Sequence, residues 1–160
     1  MEGLGVAASI IAVVDLSAKV AKLCIQYSLE VTDAKSDISR LHNEVENVGK
    51  VVSDVQHLVV GPNGAKLSAS KKMLDAVNDC STQLKTLERK LDPGKTTKAM
   101  RRLGIRALKW PFQSKQVDKV IRELERCKGT VLLALQVDQT YVSYIPWLKS
   151  TTGLILRPIQ

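Results

Sequence analysis

The sequence predicts an all-α fold: a four-helix bundle with an extra short basic helix before the last long helix. Three observations carry this expectation. Apolar residues recur at alternating spacings of three and four over long stretches, which is the period of a helix face. No stretch alternates apolar and polar residues as a half-buried strand would. Aromatic residues make up only 4% of the 160 positions, so the core must be aliphatic and alanine-rich, which suits helices packed on helices.

The first helix covers Met1 to Tyr27. Its opening run, Gly3 to Val14, is uncharged; from Asp15 onward Asp15, Lys19, Lys22 and Gln26 share one face while Leu16, Val20, Leu23 and Tyr27 share another. A helix that begins apolar all round and becomes amphipathic must be buried in a bundle or be able to leave it for a membrane. The second helix, about Thr32 to Val60, carries Ile38, Leu41, Val45, Val48, Val52, Val55 and Val59 at three-four spacing, with Thr32 or Asp33 to cap its start. Gly61-Pro-Asn-Gly64 supplies turn chemistry after it. The third helix, about Ser68 to Leu91, has the stripe Leu74, Val77, Cys80, Leu84, Leu87 and Leu91 and stops at Asp92-Pro-Gly94. The last begins near Ser114, a candidate cap, and carries Val117, Val120, Leu124, Cys127, Val131 and Leu135.

Between the third and last helices, Lys95 to Gln113 forms the extra basic segment. On a helical wheel Met100, Leu103, Ala107 and Trp110 fall on one side and Lys98, Arg102, Arg106 and Lys109 on the other. That composition suits contact with an anionic membrane surface through Lys98, Arg101, Arg102, Arg106, Lys109 and Trp110. It suits equally a helix whose apolar side covers the bundle, with Trp110-Pro-Phe112 as a plug, and the two readings are compatible.

The net charge of +8 is unevenly placed: residues 1–61 carry −3 and residues 62–128 carry +10. Such asymmetry implies an anionic partner, whether membrane surface, nucleic acid or acidic protein. Nucleic acid is disfavoured, because no DNA- or RNA-binding motif surrounds the basic helix. The three cysteines, Cys24, Cys80 and Cys127, are odd in number and widely spaced, which argues against a disulfide framework or zinc site and for small buried hydrophobes inside a cell.

Motifs for catalysis, cofactors or metals are not found. Gly94-Lys-Thr96 has the end of a phosphate-binding loop, but the required earlier glycine position is Arg89 and a helix precedes it in place of a strand. His42 and His57 belong to no metal-ligand spacing, and no serine sits in a nucleophile turn. The expectation is a protein that is not an enzyme and uses no cofactor. The Gly3 to Val14 run, stopped by Asp15, is too short for a standing transmembrane helix and lacks the basic start of a signal peptide.

Several of these pieces resemble the HeLo-like N-terminal domains of fungal STAND proteins, a family also labelled after the azaphilone pigment cluster protein L. They are the opening Gly3 to Val14, Pro62-Asn-Gly64, Leu103-Gly-Ile-Arg-Ala-Leu-Lys-Trp-Pro-Phe112, Val117, Ile121-Arg-Glu-Leu-Glu-Arg126 and Thr130 to Gln136, in that order. The resemblance covers about residues 1–138 and implies a HeLo-like bundle domain at the front of NOD-like receptors or ankyrin-repeat proteins. Related domains act in programmed cell death and innate immunity, where oligomerisation frees the first helix to enter and permeabilise the plasma membrane. Carried over, the inserting segment is Gly3, Leu4, Gly5, Val6, Ile10, Ile11, Val13 and Val14, extendable to Ile25. The implied partners are anionic membrane lipids, further copies of the chain, and a partner receptor or helical domain. The implied place is the cytoplasm, with recruitment to the inner face of the plasma membrane. The alternative is a helical adaptor or oligomerisation module that never enters lipid.

Beyond Asp138 the chain departs from the family pattern. Neither a complete Walker motif nor a repeat of about 33 residues follows. The expectation is a truncated product or a free-standing effector domain, with residues 139–160 as a poorly ordered or partly helical tail.

Overall fold

A computed structural model describes the backbone of residues 2–60, 71–92, 94 and 108–155, and the side chains of 5–59, 71–92, 94 and 108–136. It is all-helical across the described elements. Helix α1 spans Glu2–Glu30, α2 Lys35–Val60, α3 Lys71–Leu91 and α4 Ser114–Ile155. The pairs in contact are α1 with α2, α1 with α3, α2 with α4 and α3 with α4. Around the bundle the order is therefore α1, α2, α4, α3, and the sequence neighbours α2 and α3 lie across a diagonal.

Direction follows from the contacts. The turn at Thr32 to Ala34 reverses the chain between α1 and α2, so Ser17 sits opposite Gly49. The Tyr27 hydroxyl donates 2.8 Å to the Leu91 carbonyl, which brings the C-terminal ends of α1 and α3 together. At that same end Ser114 donates 2.7 Å to Asp37 and Arg40 reaches Asp118 at 2.6 Å, so α4 descends beside α2. The topology is up-down-up-down.

The predicted stripes are the core. Val6, Ile10, Val13, Leu16, Val20, Cys24 and Tyr27 of α1 are buried, as are Ile38, Leu41, Val45, Val48, Val52 and Val55 of α2. On α3 the buried face begins at Met73 and Ala76, with Leu74 half-buried at its edge. A 3.6-residue helix drifts about 20° per heptad against a straight seam, so a stripe drawn at three-four spacing misjudges its ends.

The start of α4 differs from the expected serine cap. Gln116 reaches back to accept from the Gln113 backbone N–H at 2.9 Å, while the Gln113 carbonyl receives the first helical bonds from Gln116 and Val117. Gln113 is thus the capping residue, and Ser114 is free to bond Asp37. Helix α4 then continues through residue 138 to Ile155. At 42 residues it is about 63 Å long, against about 43 Å for the 29 residues of α1.

Candidate functional site

Of the segment expected to enter membranes, Gly3 and Leu4 lie outside the described side chains. Val6, Ile10 and Val13 face the core and are essentially inaccessible, and Val14 is half-buried. Gly5 and Ile11 face solvent, with Ala8 and Ala12 beside them. The outer face of α1 is therefore uncharged from Gly5 to Ala12, the first exposed charge after it being Asp15. Among the described residues no helix is long and apolar enough to cross a membrane, in line with the length argument from sequence.

The basic segment is described only at its end. Lys98, Arg101, Arg102 and Arg106 lie outside the described residues, as does the extra helix they define on the wheel. Lys109 is exposed. Lys109 and Trp110 do not continue that wheel, because Leu108 to Gln113 carries no helix. Pro111 explains this: it has no N–H to donate, and its ring drives the preceding residue out of the helical region.

Trp110 instead packs on the bundle end. Its ring meets Tyr27 edge-on with centroids 5.3 Å apart, and meets Phe112 in the same way at 5.3 Å. Leu108 and Phe112 are buried on either side, and the Lys90 ammonium stands 5.8 Å from the centre of the Phe112 ring. The Trp110 indole N–H is buried and finds no hydrogen-bond partner among the described residues. Around this plug, Glu30, Asp33, Asp37, Lys109 and Ser114 line a surface cavity of about 510 Å³.

The described end of the basic segment, Lys109 and Trp110, lies at the end of the bundle away from Val6, Ile10 and Val13. Trp110 lies against Tyr27, and Ile10 is 17 residues nearer the start of the same helix, about 25 Å along its axis.

Sequence reading missed a basic face on the helices themselves. Lys115, Lys119, Arg122 and Arg126 are exposed at spacings of four, three and four, so they form one row along α4. Arg89 and Lys90 at the end of α3 are exposed as well. The signal is present in the residue spacing, but the run from Lys95 to Lys109 is denser in charge and carries no acid.

Among the described residues, one charged side chain enters the interior. Glu44 of α2 is buried and accepts from the Lys128 ammonium of α4 at 3.1 Å. The pair ties the α2–α4 seam. His42 is half-buried with its Nε2 3.6 Å from Glu46, and His57 is exposed.

No family model matches this chain, and neither the curated proteins nor the solved structures contain a match to it. The resemblance to HeLo-like domains rests on the sequence pieces alone.

Proposed function

We propose that this chain is a non-enzymatic signalling or effector bundle of the HeLo-like type, found at the N-terminal end of fungal NOD-like receptors. Its output is association with anionic membrane and permeabilisation by the first half of α1, in programmed cell death of the innate-immune kind. The observation that carries this reading is that Gly5 to Val14 is uncharged on its outward face as well as its core face. A helix serving only the core has no use for an apolar outer face, whereas one that enters lipid needs both.

The energetics make the bundle a restraint. Withdrawing Val6, Ile10 and Val13 from the core costs about 1.5–3 kcal/mol each, comparable in sum to the stability of a small domain. Release therefore requires a second apolar environment, supplied by lipid or by further copies of the chain. Asp15 limits the depth of entry, because a charged side chain at mid-membrane costs about 2.5–3.5 kcal/mol. The basic row on α4 with Lys109 would hold the domain at anionic lipid, each group near the surface adding about 1 kcal/mol. Since the N-terminus of α1 is at the far end, anchoring and insertion are separate steps in which α1 swings out.

The test is dye release from phosphatidylserine vesicles by the full chain beside Ile11→Glu. Ile11 is 48% exposed, so the substitution spares the core. Release by the parent and its loss in a folded Ile11→Glu supports the reading. No vesicle binding and no release by folded parent protein overturns it. An adaptor role is the second reading, favoured by the exposed Ile25 and Leu29 on α1 and Leu132 and Leu133 on α4, which a protein partner could cover. It expects concentration-dependent association without lipid.

A further inference from the structure

The face of α1 turned away from the bundle carries a row at helical spacing. Ala8, Ile11, Asp15 and Ala18 follow one another at three, four and three positions, and Lys22, Ile25 and Leu29 continue it at four, three and four. All of them are exposed, Leu29 by 80%. The row lies on the side of α1 away from Val6, Val13 and Val20, which face the core. Asp15 and Lys22 form no ion pair among the described residues. A spacing that averages 3.5 is the seam along which one helix meets another over its length.

We propose that this face binds the same face of a second copy of the chain, antiparallel and about a two-fold axis, to make a homodimer. The charges select both partner and direction. The midpoint of the row falls between Ala18 and Lys19. Asp15 and Lys22 lie equally far on either side of it, about 5 Å along the helix, and Ala8 and Leu29 equally far at about 16 Å. An antiparallel copy centred there sets Asp15 against the partner's Lys22 and Lys22 against the partner's Asp15. The same register lays the partner's Leu29 over the small Ala8 and brings the partner's Ile25 beside Ile11. A parallel copy would set carboxylate against carboxylate and ammonium against ammonium, which repulsion disfavours.

Ala18 beside the axis lets the two helices approach closely, since the distance between packed helices is set by the side chains at their contact. The apolar ends of the row supply the burial, while the two ion pairs fix the register more than they add affinity. A face about 32 Å long and about 10 Å wide falls short of the about 800 Å² per partner of a standard interface. The dimer therefore forms by concentration and comes apart on dilution. Each bundle keeps its own core throughout, because no member of the row is buried. The interface itself is independent of what the domain acts on. One regulatory consequence rests on the membrane reading: the contact covers Ile11, so the copies must separate before α1 enters lipid.

Sedimentation velocity of the full chain, without lipid or detergent, should show a monomer–dimer equilibrium that shifts with protein concentration. Asp15→Lys and Lys22→Asp should each weaken self-association about tenfold or more, with the circular dichroism of the parent retained. Mixing those two variants should restore dimers, because each supplies the charge that the other's face lacks. The double variant, Asp15→Lys with Lys22→Asp, should associate as the parent does. A parent that stays monomeric up to about 1 mM overturns the proposal. So does a dimer that either single substitution leaves intact, or a loss that neither mixing nor the double exchange repairs. Vesicles play no part in these measurements, so the interface can fail while the membrane reading stands, and the reverse.

Discussion

A β-carbon built at Gly49 would lie 2.6 Å from the Ser17 hydroxyl oxygen, so α1 and α2 approach closely here, where neither carries bulk. Ser17 spends its hydroxyl on the Val14 carbonyl of its own helix, at 2.8 Å, and cannot swing freely aside. Alanine at 49 would gain up to about 1 kcal/mol of helix propensity and lose about 1–3 kcal/mol to overpacking. Gly49→Ala should therefore lower the urea midpoint, and adding Ser17→Ala should restore it to the parent value or above. Equal midpoints for the single and double variants would mean that the contact is slack. The Glu44–Lys128 pair obeys a related logic. Lys128→Met leaves a buried carboxylate without its counter-charge and should cost about 1–3 kcal/mol, whereas Glu44→Leu with Lys128→Leu should recover most of the loss. Tyr27→Phe strips the Leu91 carbonyl of its buried donor, an expected loss of about 1 kcal/mol in the same assay.

On the scale of the element, α1 divides into residues that hold the bundle and residues that do not. Ile10 and Ile11 are sequence neighbours of one residue type, yet the first is inaccessible and the second half-exposed. Ile10→Asp should abolish the cooperative thermal transition seen by circular dichroism, because an unpaired charge would enter the core. Ile11→Glu should shift stability by less than about 0.5 kcal/mol. If both unfold the chain, the outward face of α1 is covered in solution, as the adaptor reading requires. The start of α4 offers a smaller test of the same kind. Gln116→Ala removes the side chain that binds the Gln113 N–H and should cost about 0.5–1 kcal/mol.

For the whole molecule, the square arrangement decides what can move. Helix α1 packs on α2 and α3 and stands diagonal to α4, while α4 carries the exposed basic row and the Glu44–Lys128 tie. An anionic surface that engages α4 therefore leaves the α1 seams untouched. Charge reversal by Lys115→Glu with Arg122→Glu should weaken sedimentation with phosphatidylserine vesicles at least tenfold and flatten its salt dependence. Stability should be unaffected, since both side chains are exposed. Unchanged vesicle affinity would move the anchor to the stretch from Lys95 to Arg106.

The sequence by itself determined the four helices and nearly all of their buried faces. A helix repeats every 3.6 residues, and each apolar stripe from Val6 to Leu135 is a local pattern that one chain segment displays alone. It also offered the plug at Trp110 and Phe112 as one of two readings of the basic segment, from the apolar side that the segment shows on a helical wheel. The tertiary structure alone decided what sits beside what. Nothing local says that α2 and α3 lie diagonally, that Gly49 opposes Ser17, or that Glu44 finds Lys128. Those pairings depend on the rotation and order of whole helices around one core, and helix order is set by the sum of all four seams. The face of α1 left to solvent belongs to the same class: its uncharged residues were legible in the chain, but its exposure follows only from which neighbours α1 has.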